Sequence, residues 1–188
     1  MMDSAPGKVD KAFKEMRRIE KHALARTLDA LPVAAPLGPF AVIVIDPPWP
    51  YEKRAEDVSH RGACPYPSMR IEQIAGLPLR EHSAKDAILW LWTTNAFMRQ
   101  AFVCLDAWGF QEKTILTWVK DRMGVGDWLR GQTEHCILAV RGRPIVTLTN
   151  ETTALRGPLR EHSRKPDEFF ALVERLCHGA KLEMFARE

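Results

Sequence analysis

The run Phe40–Ile45 (FAVIVI) is apolar at every position and rich in β-branched side chains. It lacks the apolar–polar alternation of a strand with one wet face, so it is expected to be a strand covered on both faces, as in a parallel α/β sheet. It ends abruptly at Asp46-Pro-Pro-Trp49. The prolines fix φ and cannot donate to a ladder, so the strand stops there. Asp46 therefore falls at the carboxyl end of a central strand, where open α/β sheets bind ligands. A carboxylate, a proline carbonyl and a flat ring suit a planar group bearing an exocyclic amine: the amine donates two hydrogen bonds and the ring stacks. The same four residues also fit a plain acidic turn that ends a strand, so the rest of the chain has to decide.

The chain's 188 residues suit one domain with a full core, residues 37–188, preceded by a basic amphipathic helix and a linker over residues 1–36. From Lys8 to Leu31, Val9, Phe13, Met16, Ile19 and Leu24 recur near helical spacing. Residues 50–68 form a loop long enough to be a lid or a binding loop. Further strands are expected at Asp86–Trp92, Lys113–Lys120, Glu134–Val140 and Lys181–Phe185, with helices from Asn95 to about Trp108 and from Pro166 to about His178. Ile71–Leu79 suggests a short helix and a turn. Ile145–Thr149 is expected to pair back on Glu134–Val140 as a hairpin, and the polar stretch 150–165 to be mobile. Strands alternating with helices give a doubly wound, mostly parallel sheet with a hairpin edge.

Cys64, Cys104, Cys136 and Cys177 form no C-x-x-C pair, which argues against zinc and against a disulfide framework. The net charge is +3, and the bias is local: Lys120 to Lys165 holds nine basic and five acidic residues, which favours a polyanionic partner. A solvated surface with incidental bias gives the same count. No apolar run approaches the ~20 residues of a membrane span, and the charged N-terminus lacks the apolar core of a secretory signal. Both absences point to the cytoplasm and away from a membrane.

Four ordered segments resemble the MT-A70 family of N6-adenine methyltransferases: Asp46–Trp49 with Pro65 and Tyr66; Leu89–Trp92 (LWLW) with Leu116–Lys120 (LTWVK); Gly126–Cys136 (GDWLRGQTEHC); and His162–Glu168 (HSRKPDE) with Leu182–Arg187 (LEMFAR). The resemblance implies a Rossmann-like, S-adenosylmethionine-dependent fold in permuted order, the cofactor strand coming last. That order accounts for the absence of a glycine-rich turn after the first strand. It implies methyl transfer to the 6-amino group of adenine, with Asp46 and the Pro47 carbonyl accepting the two N–H bonds, and with no metal and no covalent enzyme intermediate. Asp46, Pro47, Pro48 and Trp49 form the catalytic motif. Tyr66 and Glu134 are implied at the base, with Trp49 and Tyr66 stacking on it. Lys165, Ser163 and Arg187, with Asp46, are implied at the cofactor. Basic residues such as Arg156 and Arg160 are expected to contact phosphates. DNA is favoured over RNA because the chain lacks the extra domains of the eukaryotic RNA enzymes. Family members continue beyond the last strand with an aromatic- and Asn-rich tail, whereas this chain ends at Glu188, so weak cofactor binding is expected. Some members pair with an inactive sister subunit, so a homo- or heterodimer and a non-catalytic subunit are the alternatives.

Overall fold

The computed structural model describes residues 15, 16, 19, 38–51, 67–124, 128–147, 150–160 and 164–186. The chain divides into two units, Met1–Ala35 with Lys53–Ser68 and Pro36–Glu52 with Met69–Glu188. In the first, Glu15, Met16 and Ile19 are helical and exposed; the remainder of the expected basic helix lies outside the described residues. All that follows concerns the second unit.

Six strands form one sheet: β1 (Phe40–Ile45), β2 (Ser83–Thr93), β3 (Gln111–Val119), β4 (Thr133–Arg141), β5 (Ala154–Arg156) and β6 (Lys181–Met184), in the order β5-β3-β4-β2-β1-β6. Three of its five pairings are parallel (β1 with β2, β1 with β6, β3 with β5) and two antiparallel (β4 with β2 and with β3). Helices α1 (Ile71–Ala75), α2 (Leu79–His82), α3 (Met98–Trp108) and α4 (Asp167–Leu176) cover the two faces. This is the doubly wound, Rossmann-like α/β architecture that the strand–helix alternation predicts.

Strand period explains the layering. Ile43, Ile45, Leu89, Leu91 and Ile137 point to one face and pack against Ile74, Leu79, Cys104, Leu105 and Trp108 of α1, α2 and α3. Val42, Val44, Ile88, Trp90, Trp92, Leu116, Trp118 and Cys136 point to the other, against Phe169, Leu172 and Val173 of α4. Each large side chain fully buried in this way contributes about 1.5–3 kcal/mol. Phe169 is the keystone of the second layer: its ring meets Trp92 at 4.8 Å, Phe170 at 5.3 Å and Trp90 at 5.6 Å, all at steep angles. Cys104, Cys136 and Cys177 are buried and free, as small core residues; Cys64 lies outside the described residues.

The helix after β2 starts as one 3₁₀ turn over Asn95–Phe97, with Thr94 rather than Asn95 as its cap. It ends at Gly109, whose φ of 73° lets its N–H return to the Leu105 and Asp106 carbonyls. Two local expectations are corrected. Of Ile145–Thr149, the described residues Ile145–Thr147 do not pair on β4, because both edges of β4 are already taken by β2 and β3. The chain instead turns at Gly142, where a Cβ would strike the Asp86 carboxylate and the Lys85 carbonyl, and Val146 bridges Cys177 beyond α4. The antiparallel hairpin is β3–β4. Nor is 150–165 wholly irregular: Ala154–Arg156 caps the otherwise open edge of β3 as β5. No helix among the described residues is long and apolar enough to cross a membrane.

Phe169→Ala is expected to lower unfolding stability by about 3–5 kcal/mol, the usual result of emptying a fully buried aromatic site. Urea denaturation checks this, and a loss under about 1 kcal/mol would show that the α4 layer is not the packing unit described.

Candidate active site

The carboxyl ends of β1, β2 and β3 and the amino end of β4 meet at one end of the sheet. Asp46 leaves β1 there, its backbone N–H bonded to the Met184 carbonyl of β6 at 3.4 Å. Glu134 enters on β4, opposite Trp118 in the register. Both lie on the α4 side of the sheet, the side of Trp92 and Trp118. Lys165, two residues before α4, reaches between them: its Nζ is 3.0 Å from Asp46 Oδ2 and 2.8 Å from Glu134 Oε2. It also sits 4.8 Å above the Trp92 ring, a cation–π contact. Lys120 closes the other side, its Nζ 2.5 Å from Glu134 Oε1 and 5.0 Å from the Trp118 ring. The result is an alternating ladder, Lys120–Glu134–Lys165–Asp46, with a tryptophan beneath each ammonium.

Burial decides the electrostatics. The Lys165 side chain is 8% exposed and that of Glu134 is 15% exposed. Burial pulls the Lys165 ammonium down, but the Asp46 and Glu134 carboxylates override it and hold it above the usual lysine range. Burial pushes Glu134 up, and Lys165 and Lys120 override that, holding it below the usual carboxylate range. One strand over, on β6, burial and the charge of Asp46 push Glu183 up, with Arg164 opposing.

The Asp-Pro-Pro-Trp segment is bound down tightly. The Pro47 carbonyl accepts the Trp49 N–H and the Pro48 carbonyl accepts the Met69 N–H, each at 2.9 Å. A carbonyl has two lone pairs, so Pro47 can accept once more. Trp49 is 4% exposed. Its Nε1–H donates to the Trp92 carbonyl at 3.1 Å, and its ring stacks on Phe97, 5.6 Å away and 11° from parallel. It has almost no open face to offer a base, contrary to the expectation that it walls a base pocket. Its position makes it an anchor for the loop that carries Asp46.

The structure thus brings Asp46, Pro47, Pro48, Trp49, Glu134 and Lys165 together. Arg156 is exposed at the carboxyl end of β5, at the same end of the sheet. Arg160 forms an ion pair with Asp167 in the first turn of α4, so it is engaged rather than open to a phosphate. Tyr66, Ser163 and Arg187 lie outside the described residues. Lys120, Tyr51, Phe97 and Glu183 belong to the neighbourhood without a role assigned from the sequence, although Lys120 and Glu183 lie in segments that carry the resemblance and Tyr51 in the 50–68 loop. Only the strand register, which pairs Trp118 with Glu134, reveals Lys120.

With this geometry in place, comparison with known proteins is informative. The profile of the MT-A70 family matches residues 40–188. The chain is 34% identical over 166 residues to the Arabidopsis thaliana N(6)-adenosine-methyltransferase MT-A70-like protein, covering 80% of this chain and 22% of that protein. It is 31% identical over 167 residues to the human N(6)-adenosine-methyltransferase catalytic subunit METTL3, covering 80% and 26%. A match to the type II methyltransferase M.MunI of Mycoplasma sp. is 26% identical over 192 residues and covers 91% of this chain and 82% of that one. The chain spans about a quarter of the length of the adenosine-methyltransferase relatives.

Glu134 binds its proton more weakly folded than unfolded, so its contribution to stability is present above its usual 4.5 and is lost as pH falls through its lower folded value. Lys165 does the reverse, stabilising below its usual 10.5 and losing that effect as pH rises past its higher folded value. Urea midpoints measured from neutral to about pH 3 should fall less steeply for Glu134→Gln than for the wild type. Parallel curves would mean that the ladder is not coupled to folding.

Proposed function

The chain belongs to the MT-A70 family, and on that premise we propose that it transfers a methyl group from S-adenosylmethionine to the 6-amino group of adenine in nucleic acid. The observation that carries this reading is Asp46, fixed at the carboxyl end of β1 by Lys165 and by the anchored Trp49, beside a Pro47 carbonyl with one lone pair to spare. An arylamine lone pair is delocalised into the ring and attacks poorly. Asp46 and Pro47 would each accept one N–H, which turns the nitrogen's lone pair out of conjugation and aims it. Positioning of this kind supplies most of the catalysis in an in-line displacement. Lys165 holds the direction of the Asp46 carboxylate, and Glu134 with Lys120 holds Lys165.

The cofactor test rests on charge. Asp46 and Glu183 stand close enough for one to push the other's proton affinity up, and a cationic ligand at the β1–β6 end relieves that repulsion. When bound, S-adenosylmethionine supplies an electrophilic methyl on a positive sulfur. We assign its binding to Asp46, Lys165, Ser163 and Arg187, and add Glu183. The base is assigned to Pro47 and Glu134, Tyr66 keeping the role that the resemblance implies, and phosphate to Arg156. Arg160 would have to leave Asp167 first. DNA is our favoured polymer, a reading supported by a match over most of both chains to a protein named a type II methyltransferase. Because the human relative is named a catalytic subunit, a homo- or heterodimer is included in the proposal, and a non-catalytic subunit is the competing reading.

Labelled methyl transfer to single-stranded DNA, duplex DNA and RNA, run side by side on the wild type and Asp46→Ala, tests this. Transfer to DNA that falls at least about a hundredfold in Asp46→Ala is expected, the scale of losing a positioned acceptor. Transfer unchanged in Asp46→Ala would remove Asp46 from the chemistry, and none on any polymer would favour the non-catalytic subunit.

A further inference from the structure

Burial of Trp49 turns its ring to anchoring the loop, and among the described residues another aromatic stands two residues further on. Tyr51 is 47% exposed. Its ring is nevertheless held at two points: it forms a T-shaped pair with Phe97, 4.8 Å away at 88°, and its hydroxyl shares a 2.9 Å hydrogen bond with Thr94 Oγ1. Consecutive backbone bonds, Trp49 N–H to the Pro47 carbonyl and Tyr51 N–H to the Trp49 carbonyl, fold the segment into two tight steps. Phe97 is thus shared, its face against Trp49 and its neighbourhood completed by Tyr51. The phenol also lies within the field of the charged ladder. Burial pushes its proton affinity up, and Glu134, Lys165 and Asp46 all act on it.

We propose that Tyr51, not Trp49, is the aromatic surface on which the target base stacks. The proposal rests on the adenine reading above and names the residue that grips the ring while Asp46 takes the amine. A ring held by Phe97 and through its hydroxyl, in a residue still 47% exposed, loses little freedom when a base settles on it, which is the condition under which an aromatic contributes most to binding. The preference it imposes is for any unpaired planar base, so the ligand class is an unstacked or flipped nucleobase; identity is then read by the groups around Asp46.

Two dye-labelled single-stranded oligodeoxynucleotides of about 12 nucleotides test this, matched to the site sizes of single-strand binders. Both carry flanks made wholly of abasic positions; one has a central adenine and the other a central abasic position, so that the adenine is the one base able to stack. Fluorescence polarisation is expected to show the wild type preferring the adenine probe by about tenfold, the effect of one base–aromatic stack. Tyr51→Ala should bind the two probes equally, and Tyr51→Phe, which keeps the ring and gives up the Thr94 bond, should retain most of the preference. Equal binding of the two probes by the wild type, or an unchanged preference in Tyr51→Ala, overturns the proposal. The readout needs no methyl transfer: loss of preference in Tyr51→Ala without turnover in the wild type supports the stacking role and sinks the catalytic reading instead.

Discussion

One ammonium group organises the functional end of this molecule. Lys165 is buried, and it is tolerable there only because Asp46 and Glu134 approach it from two strands of opposite sense. A parallel sheet alone would not achieve this. β1 runs toward the site and ends at Asp46, whereas β4, antiparallel to β2, begins there with Glu134. Buried ion pairs of this kind rarely add much net stability, because desolvation cancels most of the attraction, while removing one member strands the others at a cost of about 3–5 kcal/mol. The ladder is therefore better understood as fixing an arrangement than as holding the fold together, a task performed by the two apolar layers.

The layers were legible in the sequence because they follow from local pattern. FAVIVI and AILWLW have no polar position, and a strand with no polar position needs cover on both sides. Asp46 was legible for the same reason: the prolines that follow stop the strand and leave the carboxylate at its end. Glu134 and Lys165 were legible only through resemblance, since neither sits in a pattern that distinguishes it from a surface charge. Lys120 lay in a segment that carries the resemblance, but its pairing was not legible, as its partner is set by the β3–β4 register. The mispairing of Ile145–Thr149 has a related cause: sequence proximity favours a hairpin, but only the completed sheet shows that β4 has no free edge.

The two aromatic residues of the first loop show how little residue type alone decides. Trp49 is the larger ring and closer to Asp46, and in isolation the better stacking surface. Its indole N–H, however, finds a buried carbonyl on β2 and its face finds Phe97, so its area goes to anchoring the loop. Tyr51 makes the opposite compromise, with its hydroxyl bonded and its ring paired with Phe97 while the residue stays exposed. On the proposed reading, a loop that places a carboxylate accurately and also receives a base needs one ring of each kind.

Register is what joins these parts. In β4 the side chains alternate, so Glu134 faces the ladder and His135 the other side; a slip of one residue would exchange them and leave Lys165 facing an imidazole. The fold guards against that slip on the far face. His135 lies between Thr117 Oγ1 of β3 at 3.1 Å and Asn95 Oδ1 of the turn after β2 at 2.6 Å, so one ring ties three consecutive segments of the sheet. Burial pulls its proton affinity down, with Glu134 opposing, which favours the neutral imidazole that can accept from one neighbour while donating to the other. The irregularities of the sheet fall at the opposite end, between Phe40 and Val42 of β1 and between Glu112 and Thr114 of β3. The ladder from Leu116 to Val119 against Thr133 to Cys136 runs unbroken into the site. The chemistry proposed for Asp46 thus depends on a hydrogen-bonded histidine that touches neither the acid nor the base it helps to place.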